Sequence, residues 1–189
     1  IVAPSFSVEA MNILTGKKNI RLLKINKDNF VNLKKNHIIR SVFNGILTQE
    51  KDQFINDTDS FEIVSNRKPK GDELKALLLG WKLVKFVKSN AIVFNNHEKL
   101  LGIGAGQMSR IDSVKIAIQK IKENNLSIDN AILASDAFFP FPDSIEIANK
   151  FGINHFIQTG GSIKDKEIIK VANKLKVSMI FTNQRLFFH

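Results

Sequence analysis

The chain has 189 residues and a mass of 21.3 kDa, which is enough to bury a core in one or two domains. Its 43% hydrophobic and 24% charged residues are typical of a globular protein, and no apolar run approaches the roughly 18 to 20 residues of a membrane helix. The lack of Cys excludes disulfides and thiolate metal sites and agrees with a reducing, cytoplasmic location. The four His have no ligand spacing, so we predict no metal.

The net charge of +10 could attract nucleic acid. The lysines are spread along the whole chain, however, and do not gather in one block. We therefore predict no nucleic-acid partner, and an anionic small molecule or an acidic partner is the better match for this charge. A steep salt dependence of DNA binding would be needed to restore the nucleic-acid interpretation.

Residues 1–66 predict a small α/β segment. Ile1–Ala3 reads as a short strand, and a helix is expected from about Ser7 to Thr15. Another strand is expected over 20–25, and Asn44-Gly45 is typical of a hairpin turn. Because the sequence enters a strand at its first residue, we expect the chain to be a segment of a longer protein.

Residues 67–71, Arg-Lys-Pro-Lys-Gly, are the expected linker to a second domain over 72–189. A helix is predicted from Asp72, with apolar residues at steps of three and four. From residue 91 onward the pattern predicts the order ββαβαβαβ. Alternating strands and helices favour a mostly parallel sheet that is covered on both faces.

In this second domain an apolar strand runs three times into a loop and then a helix cap. The loops and caps are Gly102–Gly106 before Ser109, Ser135–Pro142 before Asp143, and Thr159–Gly161 before Ser162. Each cap residue is followed three residues later by an acid, which is the spacing of a capping box. Because loops after parallel strands meet at one edge of a sheet, the three corners predict a small-molecule site there.

The loops also carry residues suited to a ligand. Glycines impose no Cβ clash on an approaching ligand, and Arg110 beside them can clamp a phosphate or carboxylate. The spacing is GxGxG rather than the dinucleotide fingerprint GxGxxG. Three phenylalanines lie within the four residues 138–141, so at least one ring is expected to line a pocket for a flat heterocycle. The alternatives are a tight strand–helix turn and aromatic rings that close the end of the sheet.

Together these segments resemble one family, the transformylase part of the bifunctional aminoimidazole carboxamide ribonucleotide (AICAR) formyltransferase/IMP cyclohydrolases. The resemblance is strong over 81–189 and looser over 1–65. The stretches that carry it are Trp81–Val93, Gly102–Arg110, Ser135–Phe141, Gly160–Ser162 and Phe181–His189.

The resemblance implies an α/β fold in which 72–189 is a cytidine-deaminase-like three-layer subdomain with a mixed, mostly parallel sheet. Residues 1–66 would be the end of the first transformylase subdomain. The implied reaction transfers a formyl group from 10-formyltetrahydrofolate to the amine of the AICAR nucleotide in de novo purine (IMP) biosynthesis. The family uses no metal and forms its site across a homodimer.

The resemblance also implies roles for particular residues. Those that match nucleotide-binding positions are Asn90, Arg110, Phe138 and Arg185. Those that match positions near the folate are Ile111, Asp143, Ser162 and Ile163. His189 matches a terminal residue close to the site, where it would be an auxiliary group.

Two departures from the family's pattern lie in the loops: Pro142 stands where Arg is usual, and Thr159 where Pro is frequent. The first removes a cation beside the folate. The family's catalytic Lys-His pair lies upstream of this segment, and no Lys-His dipeptide occurs in the chain. We therefore predict little or no turnover by this chain alone, because its proton-transfer groups are missing. The alternative is a non-catalytic α/β nucleotide-binding or interaction module.

Overall fold

The computed structural model describes residues 1–26, 37–50 and 60–188. The chain forms two compact units, Ile1–Gln53 and Phe54–His189. Within the described residues the longest helix has 14 residues, and none combines the length and apolarity needed to span a bilayer.

Among its described residues, 1–26 and 37–50, the first unit contains one helix and two small sheets. Its elements are β1 (Val2–Ala3), α1 (Val8–Thr15), β2 (Leu23–Lys24), β3 (His37–Val42) and β4 (Gly45–Glu50). The predicted helix is confirmed, and the Ser7 hydroxyl accepts a hydrogen bond from the Ala10 amide at 3.2 Å as its N-cap. The strand predicted over 20–25 is shorter than expected, because the Ile20 amide is held in a turn by the Lys17 carbonyl. The hairpin turn is Phe43–Asn44, and Gly45 already pairs with Val42 in the ladder.

The second unit is built on a six-stranded sheet. Its elements are β5 (Glu62–Ile63), α2 (Asp72–Val84), β6 (Ile92–Asn95), β7 (Leu100–Gly104), α3 (Arg110–Glu123), β8 (Ile132–Ser135), α4 (Asp143–Lys150), β9 (His155–Gln158), α5 (Asp165–Lys174) and β10 (Ser178–Phe181). The strand order across the sheet is β5-β10-β9-β8-β6-β7. The predicted order ββαβαβαβ from residue 91 and the α/β class are confirmed.

The sheet is mixed, as expected, but its parallel part is smaller than expected. Parallel pairing joins β8, β9 and β10, whereas β6 pairs antiparallel with both β7 and β8, and β5 pairs antiparallel with β10. The reason lies in the connections. The short turn between β6 and β7 can only make a hairpin, while helical crossovers separate the parallel strands.

Alternate side chains of the central strands pack into two separate hydrophobic cores, one on each face of the sheet. Phe94, Leu133 and Phe156 pack with α3, α4 and α5 on one face of the sheet. Val93 and Ile157 face the other way and pack with α2. This period of two is the expected pattern for a strand buried on both faces, and it produces three layers. The likeness to the cytidine-deaminase fold remains a prediction.

Residues 62–67, which include the outer strand β5, run alongside β10 of the six-stranded sheet. The Val64 amide donates to the Met179 carbonyl at 3.1 Å, and the Ser65 hydroxyl accepts from the Met179 amide at 2.8 Å. Arg67 then forms a bridge with Ser178. The two compact units therefore divide upstream of β5, and the expected linker 67–71 lies against the second unit. The assignment of the units to transformylase subdomains remains a prediction.

Candidate functional site

Five segments of the second unit meet at one edge of its sheet. Strands β8, β9 and β10 end at this edge, which we call the carboxyl edge. Because β6 is antiparallel to both β7 and β8, β7 also ends there and β6 begins there. The segments are 88–91 before β6, 105–109 after β7, 136–142 after β8, 159–164 after β9 and 182–188 after β10. The topology therefore brings all three predicted loops together, as open α/β sheets do at ligand sites.

A buried ion pair lies at the centre of this edge. Asp136 has no exposed surface, and one of its carboxylate oxygens accepts a hydrogen bond from Arg110 Nη2 at 2.9 Å. Arg110 is itself only 8% exposed. The other carboxylate oxygen accepts from the Ser89 hydroxyl at 2.5 Å. Charge-assisted hydrogen bonds of this kind are short and strong, and they fix the geometry of both groups.

Arg110 connects two of the other predicted site residues to this pair. Its Nη1 donates to the Phe138 carbonyl at 3.1 Å, and its Nη2 donates to Asn90 Oδ1 at 3.2 Å. The Asn90 amide nitrogen donates in turn to the carbonyls of Gln107 and Met108 at 2.9 and 3.3 Å. We call Ser89, Asn90, Arg110, Asp136 and Phe138 the Asp136 cluster.

The C-terminal tail folds back onto this cluster. The Leu186 amide donates to the Asp136 carbonyl at 3.0 Å, and the Leu186 side chain is buried. Ser89 and Phe188 exchange two hydrogen bonds, of 2.8 and 3.1 Å. As a result the exposed Arg185 guanidinium lies 5.1 Å from the centre of the Phe138 ring, which is a cation–π distance. All four residues predicted for the nucleotide are thus joined in one contact network.

The four residues predicted for the folate lie at the same edge, on three different segments of the second unit. Ile111 follows Arg110 in the first turn of α3, and Asp143 begins α4. Ser162 and Ile163 lie in the loop before α5, where Ile163 is 101% exposed. The predicted His189 lies outside the described residues.

Two glycines expected to face a ligand face a helix instead. Gly102 and Gly104 belong to β7 rather than to the loop. A Cβ on Gly102 would lie 2.8 Å from the Ala117 carbonyl oxygen, and one on Gly104 would lie 1.9 Å from the Ser113 oxygen. These glycines therefore allow α3 to pack closely on β7. Of the predicted glycine loop only Gly106, with φ +65°, lies in the turn itself.

The helix caps also differ from the prediction at two of the three corners. Ser109 caps α3 as expected, since its hydroxyl accepts from the Asp112 amide at 3.3 Å. The cap of α4 is Pro142, because Asp143 already has helical geometry. Helix α5 begins at Asp165, three residues later than predicted, and the Asp165 carboxylate accepts from the amides of Gly161 and Ser162 at 2.8 and 3.1 Å. The amides of Gly161 and Ser162 are thus occupied by an internal carboxylate rather than left for an external anion.

Sequence reasoning missed the central position of Asp136 and Ser89. In the sequence Asp136 is simply an acid close to the phenylalanines of the loop after β8, and no local pattern singles out Ser89. One signal was available: Asp136 directly follows a buried strand, and an acid that is buried with such a strand needs a charged or hydrogen-bonding partner. The cationic partner of Asp136 is the buried Arg110, which is the first residue of α3, the helix that follows the edge strand β7.

The electrostatics of the site follow from this arrangement. The Arg110–Asp136 pair is neutral as a whole, so the positive charge presented at the surface near Phe138 is that of Arg185. A half-buried aromatic ring beside an exposed guanidinium suits a ligand that combines a flat ring with an anionic group. Within the described ranges, no group of three or more His, Asp or Glu side chains could hold a metal ion.

Comparisons with known proteins agree with the resemblance seen in the sequence. The family described as AICARFT/IMPCHase bienzyme matches residues 1–120. Three relatives carry the name bifunctional purine biosynthesis protein PurH and match all 189 residues of the chain. They come from Listeria monocytogenes serotype 4a (51% identical), Lactobacillus acidophilus (47%) and Prochlorococcus marinus (46%). The chain spans about 36% of the length of each of these relatives.

Proposed function

The chain belongs to the AICARFT/IMPCHase bienzyme family, a family of purine biosynthesis, and we propose that it is the C-terminal portion of the formyltransferase. In this proposal the chain binds the AICAR nucleotide and 10-formyltetrahydrofolate. The formyl group is transferred from the folate to the amine of AICAR. The observation that carries the proposal is the junction of Asn90, Arg110, Phe138 and Arg185 in one network. These residues are up to 95 positions apart in the sequence, and the fold joins them by direct contacts at one edge of the sheet.

Each part of the network suits a part of the nucleotide. The Phe138 ring offers a face to the imidazole heterocycle, and the exposed Arg185 guanidinium suits the phosphate. The side-chain oxygen of Asn90 accepts a hydrogen bond from Arg110, and its side-chain nitrogen donates to the loop after β7. The position of the Asn90 side chain is therefore fixed before a ligand binds. A site that is ordered in advance loses less entropy on binding.

We assign the folate to the outer part of the same edge, over Ile111, Asp143, Ser162 and Ile163. Ile163 presents a fully exposed apolar side chain, which suits the flat pterin or the aryl group of a folate. Pro142 supplies no cation here, so we expect weaker binding of the anionic tail of the folate than an Arg at that position would give. The proposal includes a homodimer with a shared site and a cytoplasmic location.

The proposal predicts that Arg185→Ala weakens AICAR binding by more than about tenfold, because a phosphate loses its charged partner in a partly enclosed site. The measurement is isothermal titration calorimetry of AICAR into the 189-residue chain, followed by titration of a folate analogue. Lys174→Ala is the matched control, since it also removes an exposed cation but lies at the far end of α5. Equal affinities of the Arg185 variant and the unsubstituted chain would reject the role of Arg185 in binding the phosphate.

A further inference from the structure

Asp136 contacts more parts of the candidate site than any ligand-facing residue does. Its carboxylate binds Arg110 and Ser89, its carbonyl accepts from the Leu186 amide, and its amide donates to the Ala91 carbonyl at 3.3 Å. These four contacts reach the start of α3, the segment before β6 and the C-terminal tail. One residue thus links three of the segments that meet at the carboxyl edge.

Asp136 cannot touch a ligand itself, because it has no exposed surface. Any effect on binding must pass through the groups that it holds. The chief of these is Arg110, whose other two hydrogen bonds go to the Phe138 carbonyl and the Asn90 side chain. Arg110 can make all three hydrogen bonds at once only while its guanidinium plane keeps its present orientation.

We propose that Asp136 is the positioning residue of the nucleotide site, acting through the orientation of Arg110. This inference rests on the function proposed above. The carboxylate keeps the buried guanidinium turned inward, and the guanidinium then fixes the Phe138 backbone and the Asn90 amide. Without the carboxylate, the guanidinium would be a buried charge without its counter-ion and would turn toward solvent. Phe138 and Asn90 would lose their common anchor, and a displacement of about 1 Å in such a site can cost about a hundredfold.

A simple electrostatic role makes the opposite prediction. Asp136 carries a negative charge, so its removal makes the site one charge more positive and would strengthen the binding of an anionic nucleotide. The positioning role predicts weaker binding in spite of that added charge. The sign of the change in affinity therefore separates the two explanations.

The experiment compares AICAR binding by the 189-residue chain with that of its Asp136→Asn variant, by calorimetry well below the melting temperature of either. Asn has nearly the shape of Asp but lacks the charge that holds Arg110. We expect the dissociation constant to rise at least about tenfold. A lower melting temperature with an unchanged or tighter dissociation constant would mean that Asp136 only stabilises the fold, and would overturn the proposal.

His155→Asn is the matched control. His155 is a buried hydrogen-bonded residue of the same sheet, but it begins β9 and therefore lies at the opposite edge. We expect this variant to lose stability and to bind AICAR within about twofold of the unsubstituted chain. A loss of affinity equal to that of the Asp136 variant would show that general destabilisation explains both results, and would also overturn the proposal.

Two further variants keep the test decisive. If Asp136→Asn does not fold, Ser89→Ala removes one of the hydrogen bonds to the same carboxylate, together with the acceptor of the Phe188 amide, and we expect about a threefold loss of affinity. An unchanged affinity in that variant would reject the proposal.

Arg185→Ala tests the nucleotide site independently of Asp136. If the Arg185 variant loses affinity and the Asp136 variant does not, the positioning role fails alone. If the unsubstituted chain does not bind AICAR, the proposed function fails and the positioning role with it.

Discussion

Gly104 lies at a close approach between β7 and α3. A Cβ at this position would lie 1.9 Å from the Ser113 carbonyl oxygen and 2.6 Å from the Ser113 Cα, both of which belong to the backbone of α3. A backbone cannot rotate away as a side chain can, so the helix would have to move. Ser113 is also the residue whose hydroxyl binds the Asn90 carbonyl at 2.6 Å. A shift of α3 would therefore reach the candidate site.

We predict that Gly104→Ala lowers the free energy of unfolding by about 3 kcal/mol or more, because an added methyl group in a closed contact forces the backbone apart. Urea denaturation followed by circular dichroism measures the change. Gly106→Ala is the control, since a Cβ there would meet only the Lys88 side chain, at 3.5 Å. Its positive φ should cost about 1 kcal/mol. Equal losses in the two variants would contradict the importance of the helix contact.

Single residues show what the sequence could and could not reveal about the site. Arg110 could be singled out because it follows a glycine-rich segment, and Phe138 because it is one of three phenylalanines within four residues. The partner of Arg110 could not be read from spacing, since Asp136 follows another strand and the two meet only through the order of strands in the sheet. The role of Gly104 was misjudged for a related reason. A glycine looks the same in a sequence whether it admits a ligand or a neighbouring helix.

At the scale of elements, His155 is one of the groups that join α2 and the segment before it to the sheet. His155 at the start of β9 lies with its Nδ1 2.7 Å from the Ser178 hydroxyl and its Nε2 3.2 Å from a Glu73 carboxylate oxygen. Arg67 Nη2 lies 3.3 Å from the same Nε2. Burial lowers the pKa of His155 most; Glu73 opposes this shift, and Arg67 adds to it. The folded protein therefore favours the neutral imidazole.

This pKa shift predicts a loss of stability in mild acid. A histidine whose pKa is lower in the folded state than the unfolded value of about 6.5 binds its proton more readily in the unfolded chain. The free energy of unfolding should thus fall as the pH drops below about 6.5, until the folded-state pKa is passed. Urea denaturation at several pH values between 5.5 and 7.5 measures this fall. His155→Asn should be less stable at pH 7.5 and should show a flatter profile. The same slope in both proteins would assign the effect to other groups.

The elements themselves were largely predictable, and their pairing was not. The apolar stripe of α3 and the Ser109 cap identify that helix from local sequence alone, and both agree with the structure. Whether two neighbouring strands are parallel or antiparallel depends on which strands become neighbours in the sheet. Strand β6 lies between β7 and β8, antiparallel to both, although only the first of these pairings follows from a short connection. The position of β5 beside β10 joins residues more than a hundred positions apart, which no local pattern specifies.

At the scale of the whole molecule, binding and turnover are separable properties of this chain. The residues that would hold the nucleotide lie within the second unit and are already joined by hydrogen bonds. The resemblance assigns proton transfer to a Lys-His pair, and no such dipeptide occurs among the 189 residues. Ordering a substrate and moving its proton are distinct contributions to catalysis. A chain can therefore retain the first without the second.

We predict that the 189-residue chain binds AICAR but shows no formyl transfer above about one thousandth of the rate of a full-length relative, because general acid–base groups contribute about 10² to 10⁴ in rate. The assay measures tetrahydrofolate released from 10-formyltetrahydrofolate, with the Listeria monocytogenes protein as the reference. Calorimetry on the same preparation establishes that the nucleotide is bound, so that a lack of turnover reflects chemistry rather than an unfolded site. Turnover close to that of the relative would require another residue of this chain to move the proton. In that case His189, the auxiliary group that the resemblance implies, would be the first residue to substitute, because an imidazole can exchange a proton near neutral pH.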